Sequence, residues 1–124
     1  MSVKAVKTIT ELEPNQVFVF GSNTAGRHGA GAAYQAMTQF GAVYGVGKGP
    51  TGQCYAIPTK NDHLIRMCLG QIKYYFDQFV EYAKEHPELE FLLTPIGTGL
   101  AGYTFEDLES ILPVDMPTNI TKCW

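Results

Sequence analysis

Three polar residues that could bind or act on an anion lie close together in a glycine-rich stretch. Asn23, Arg27 and His28 are interspersed with glycines at positions 21, 26, 29 and 31. A guanidinium group pairs well with phosphate, and an imidazole can donate or accept a proton near neutral pH. Glycines let the backbone approach a ligand closely. These residue types predict an anion-binding loop in which Asn23 and His28 are the candidate catalytic side chains.

A second glycine-rich stretch, at 96–103, follows an apolar run at 91–93 in the same way that the first follows the apolar run 17–20. A strand that leads into a glycine-rich loop, and then into a helix N-terminus, presents free amide N–H groups and a favourable dipole to phosphate. We therefore expect the two loops to face each other across one phosphate-bearing ligand.

The apolar pattern also predicts the elements that position these loops. The predicted strands are 17–20, 53–58, 90–94 and 119–123, with a further short strand at 42–46 and a short strand or entry arm within 1–12. The predicted helices are 32–40, ended by Gly41, then 63–86 with a weak point at Gly70, and 105–112 with Thr104 as N-cap. This alternation is typical of an α/β protein with a mostly parallel sheet, in which ligands bind at the carboxyl ends of the strands.

Composition excludes several classes of function. The chain has 124 residues, a formal net charge of −3 and a pI near 5.5, which suits one domain (1–124) and gives no basic surface for duplex nucleic acid. No apolar run is long enough to cross a bilayer, and residues 1–16 lack the apolar region of a secretory signal. The isolated Cys54, Cys68 and Cys123 match no zinc or disulfide pattern. We expect a cytoplasmic protein with no metal, no cofactor and no membrane partner.

At its two loops the sequence resembles the macrodomain family, whose members bind ADP-ribose and related nucleotides. The segment 23–33, NTAGRHGAGAA, is similar to the family's asparagine, spacer, glycine-rich segment and small-residue helix start. The segment 96–103, IGTGLAGY, resembles the family's diphosphate loop. The match covers about residues 17–112 and is nearest to short bacterial or phage macrodomain-type proteins. It implies a three-layer α/β/α sandwich with a mixed, mostly parallel central sheet.

The resemblance also implies roles for individual residues. Loop amides would wrap the phosphates, Asn23 would contact the distal ribose and Tyr103 would pack against it. The implied ligand-binding residues are Gly21, Ser22, Gly26, Arg27, Gly29, Ala30, Gly31, Gly97, Thr98, Gly99, Leu100, Ala101, Gly102 and Tyr103.

Two functions follow from the resemblance. One is hydrolysis of an ADP-ribose derivative, in the manner of the ADP-ribose 1″-phosphate phosphatases, with Asn23 positioning the ribose or a water and His28 shuttling the proton. The other is binding or sequestration of an ADP-ribose-based nucleotide without turnover. Ala30 or Ala33 stands where family members that remove ADP-ribose from acidic side chains carry Asp. Glu11 and Glu13 are the nearest candidates for the family's adenine-binding Asp.

Overall fold

The chain folds as a mixed α/β protein. A computed structural model describes residues 8–124, and the elements within this range form a five-stranded mixed sheet and three helices. In chain order they are β1 (Gln16–Asn23), α1 (Gly31–Phe40), β2 (Gly49–Thr51), β3 (Cys54–Lys60), α2 (Leu69–Glu85), β4 (Glu90–Leu93), α3 (Phe105–Ile111) and β5 (Ile120–Lys122).

Strand β1 lies at the centre of the sheet, whose order is β2-β3-β1-β4-β5. It pairs in parallel with β3 on one side and β4 on the other, whereas the short edge strand β2 is antiparallel to β3. The register places Asn23 opposite Lys60 and Val19 opposite Leu93. Because the three central strands are parallel, the loops that follow β1, β3 and β4 leave the same edge of the sheet.

Side chains of β1 alternate between two apolar clusters, as the period of a strand requires. Val19 joins the cluster that contains Phe76 of α2 and Leu108 of α3. Phe18 and Phe20 join the cluster that contains Ala36 of α1. Both faces of the central strand are therefore buried, which explains its unbroken apolar run.

Most predicted elements are present, but two predictions are wrong. Helix α2 begins at Leu69, so 63–68 is not helical, and 42–46 is a loop, with the next strand at Gly49–Thr51. The predicted C-cap Gly41 has the left-handed φ of 82°, and Thr104 accepts a hydrogen bond from the Asp107 amide as the predicted N-cap.

The prediction for the N-terminal segment falls partly outside the described residues, at Val3 and Val6. Within the described part, 8–13 forms no strand, and Ile9 and Leu12 pack against the α1-side cluster. Across residues 8–124, none of the helices has the length and apolar character needed to span a bilayer.

Candidate functional site

One large cavity, of about 1070 Å³, opens at the edge of the sheet where β1, β3 and β4 end. Both glycine-rich loops line it. From the first loop and the end of β1 come Gly21, Ser22, Asn23, Arg27, Gly29, Ala30 and Gly31, and from the second come Gly97, Thr98, Gly99, Leu100 and Ala101. The structure thus brings together, around one space, most of the residues predicted to bind a ligand.

Asn23 shapes the first loop with its side chain. Its Nδ2 donates to the Arg27 carbonyl at 2.9 Å, and its Oδ1 accepts from the Arg27 amide at 3.0 Å. The Gly26 amide also donates to the Asn23 carbonyl, which closes a tight turn. Asn23 is buried and lines the cavity, and both ends of its amide group hold the loop in place.

His28 lies away from the cavity, although it belongs to the same loop. Its ring is fully buried and packs edge-on against Phe20. Its Nε2 lies 3.2 Å from the Val43 carbonyl and 3.1 Å from the Val46 carbonyl, so this nitrogen carries the proton and donates. The imidazole therefore ties the first loop to the connector that follows α1.

That connector, residues 41–48, packs closely on the first glycine-rich loop. A Cβ on Gly26 would lie 2.2 Å from the Gly45 carbonyl carbon, and one on Gly47 would lie 2.1 Å from the Asn23 carbonyl oxygen. The Ser22 hydroxyl donates to the Gly47 carbonyl. This contact places Tyr44 at the cavity, a position that the sequence pattern did not predict.

The second loop is shaped by its own backbone. The Thr98 hydroxyl donates to the Pro95 carbonyl at 2.7 Å, and the Tyr103 amide donates to the Gly97 carbonyl at 2.8 Å. The Tyr103 hydroxyl donates to the Met67 carbonyl at 2.5 Å, and Arg66 lies over its ring at 4.2 Å. Tyr103 therefore packs against the segment before α2.

Four of the predicted site residues are not among the cavity lining: Gly26, His28, Gly102 and Tyr103. Neither Glu11 nor Glu13 lines it either. Sequence reasoning did not foresee the contributions of Thr8, Ile9, Phe18, Gln35, Tyr44 and Leu64, which reach the cavity from neighbouring elements. Helical spacing on α1 could have indicated Gln35, since it lies four residues beyond Gly31.

The charged groups of the cavity are cationic. Arg27 and Lys60 line it, and the described residues around it include no Asp, Glu, His or Cys. Within 8–124, no group of His, Cys, Asp and Glu side chains is arranged to hold a metal ion. This charge distribution favours an anionic ligand. The described lining contains no carboxylate, imidazole or thiol, and the groups it offers for acid–base or nucleophilic chemistry are the Lys60 amine, the Tyr44 phenol and aliphatic hydroxyls.

Comparison with protein-family models, with curated proteins and with solved structures finds no match to this chain.

Proposed function

We propose that this chain is a macrodomain-like protein that binds ADP-ribose or an ADP-ribose derivative in the cavity between its two glycine-rich loops. The sheet, with α1 packed on one face and α2 and α3 on the other, fits the three-layer sandwich that the family resemblance implies. The ligand's diphosphate would lie between the two loops, against Gly29–Gly31 and Thr98–Ala101.

The observation that carries this proposal is the surroundings of Gly29 and Gly99. Both line the cavity, one on each loop, and neither has the positive φ that favours glycine. A Cβ at either position would meet nothing within 4 Å. Neither the backbone conformation nor the packing of the described residues requires glycine at these positions, whereas close approach of a ligand to the backbone would.

Local charge supports an anionic ligand despite the net charge of −3. Arg27 and Lys60 line the cavity, and α1 directs its N-terminus toward it, with Ala30 and Gly31 among the lining residues. Helix N-termini and free loop amides favour phosphate. A nucleotide diphosphate is therefore held by nearby dipoles and two cations rather than by the charge of the whole molecule.

The lining favours binding without turnover over phosphatase activity. Hydrolysis would need a group to activate water or protonate the leaving oxygen, and the described lining offers no carboxylate, imidazole or thiol. His28, the proton shuttle of the phosphatase hypothesis, donates through Nε2 to two backbone carbonyls instead. Phosphate release from ADP-ribose 1″-phosphate by the wild type, above background, would favour the enzyme.

Calorimetric titration with ADP-ribose, followed by chromatography of the recovered nucleotide, tests the proposal. We expect saturable binding and unchanged ADP-ribose. Gly29→Ala and Gly99→Ala should each weaken binding about tenfold or more, because a methyl group would enter the space of the diphosphate. Gly70→Ala makes the same chemical change on α2, outside the cavity, and should bind as the wild type does. Absence of heat with the folded wild type would remove the proposal.

A further inference from the structure

The mouth of the cavity carries exposed apolar side chains from three different loops. Tyr44, Leu64 and Leu100 are 61%, 46% and 75% exposed, and all three line the cavity. Phosphates and riboses are polar and give no reason for apolar side chains here. The part of a ligand that reaches this mouth should therefore carry an apolar surface of its own.

Tyr44 is held in place although its side chain is exposed. The adjacent Gly45 amide donates to the Gly26 carbonyl at 2.8 Å, and the preceding Val43 carbonyl accepts from His28. The Tyr44 ring meets the buried His28 ring edge-on, with 6.2 Å between the centroids. A ring whose backbone is restrained in this way loses less conformational freedom when a second ring stacks on it.

A second apolar region of the cavity lies beside α1. Ile9 and Phe18 line the cavity there, beside Gln35 in the first half of α1. Gln35 Nε2 donates to the Ile9 carbonyl at 2.5 Å, which holds this part of the N-terminal segment against α1. Tyr44 contacts His28, which precedes segment 29–31 in the chain, and Ile9 contacts Gln35, which follows it, so the two apolar regions are attached to opposite ends of this segment in the sequence.

We propose that the preferred ligand carries a planar ring at both ends of its diphosphate, as a dinucleotide does, and that Tyr44 stacks on the ring borne by the distal ribose. This inference rests on the proposed function and specifies its ligand class. The first ring occupies the part of the cavity that is lined by Ile9 and by Phe18, and the diphosphate lies along the two glycine-rich loops. The second ring lies at the mouth of the cavity, where Tyr44, Leu64 and Leu100 are exposed. The cavity, at about 1070 Å³, is slightly larger than the usual small-molecule site of roughly 300–1,000 Å³, which favours a ligand larger than ADP-ribose.

Calorimetry with a matched pair of ligands tests this assignment. NADH shares the ADP-ribosyl part of ADP-ribose and carries one neutral dihydronicotinamide ring in place of the 1″-hydroxyl of the distal ribose. We expect the wild type to bind NADH about tenfold more tightly than ADP-ribose, the gain typical of one stacked ring. Tyr44→Phe should keep this ratio, whereas Tyr44→Ala should reduce it to near one.

Tyr74→Ala is the control, since Tyr74 is 63% exposed on α2 and does not line the cavity. It should keep the NADH preference of the wild type. Equal affinity of the wild type for the two ligands, or a preference that survives in Tyr44→Ala, would overturn the inference and leave ADP-ribose binding intact. Failure of both ligands to bind would instead remove the proposed function, and this inference with it.

Discussion

At the scale of single residues, His28 shows how far a chemically suggestive side chain can be from a reactive one. It is fully buried, and its Nε2 donates hydrogen bonds to two backbone carbonyls of the connector. His28→Ala should therefore lower the free energy of unfolding by about 2–4 kcal/mol, since it opens a cavity at a fully buried ring and removes the donor that ties the first loop to the Val43 and Val46 carbonyls. Urea denaturation measures this change. His63→Ala, at a side chain that is 80% exposed, should stay within about 0.5 kcal/mol of the wild type.

A different outcome for His28→Ala would support a catalytic role for this residue. A His28→Ala protein with wild-type stability, but without the phosphate release of the wild type, would give His28 the catalytic role that the sequence suggested.

The buried side chains of Cys54 and Tyr55 lead to a second prediction at this scale, which concerns the free energy of unfolding at alkaline pH. Burial raises the pKa of the Cys54 thiol from 9.0 to about 12, and burial, followed by the nearby Tyr82, raises the pKa of Tyr55. A group whose pKa is higher in the folded state stabilises the fold below its unfolded pKa and loses that contribution as pH rises through its folded pKa. The free energy of unfolding should therefore fall between pH 9 and pH 12.

Urea denaturation at a series of pH values checks this. Cys54→Ala should show a shallower decline above pH 9, while the exposed Cys68 gives the matched control Cys68→Ala, which should decline as the wild type does. Identical slopes for Cys54→Ala and the wild type would contradict the assignment.

At the scale of elements, the first glycine-rich loop combines two kinds of glycine. Gly26 has a φ of +70°, and an added Cβ would lie 2.2 Å from Gly45 backbone, whereas a Cβ on Gly29 would meet nothing. Gly26→Ala should cost at least about 2 kcal/mol of stability, from backbone strain and overpacking. Gly29→Ala should unfold at the same denaturant concentration as the wild type, within error. If the two variants were equally stable, the loop would not be packed on the connector as described.

The same elements show what sequence could and could not predict. Patterns within one segment succeeded, as in the strand predicted at 17–20, the Gly41 C-cap and the Thr104 N-cap. The helix predicted from His63 failed because the Asn61 side chain accepts from the His63 and Ile65 amides, and Leu64 takes a φ of 62°. Such side-chain-to-backbone bonds compete with helix formation without changing the apolar spacing.

For the site, too, features set by a single segment or by the sheet could be predicted, and features set by contacts between distant segments could not. Both loops could be placed at the cavity because parallel strands bring their carboxyl ends to one edge. The burial of His28 and the position of Tyr44 could not be predicted, because both depend on the connector 41–48 folding back over the first loop. A contact between two loops leaves no periodic pattern in the sequence from which it could be predicted.

At the scale of the whole molecule, the site links parts of the fold that are distant in the chain. The first loop leaves the central strand and leads into α1, and the second leaves β4 and leads to α3. The α1-side cluster supports one loop, and the cluster under α2 and α3 supports the other. A ligand that spans both loops therefore adds contacts between two halves of the core that otherwise meet through the sheet.

Ligand binding should accordingly stabilise the entire fold rather than one loop. If ADP-ribose binds the folded state alone, a concentration of 100 times Kd should raise the free energy of unfolding by about 2.7 kcal/mol. Thermal unfolding with and without ligand measures this as a rise in Tm, and amide hydrogen exchange should slow at both 29–31 and 98–101. Gly99→Ala, at the same ligand concentration, should show about half that rise or less, since its Kd is about tenfold higher, and Gly70→Ala should show the full rise. Protection limited to one loop would mean that the ligand does not bridge the two, because a diphosphate held between them must shield the amides of both.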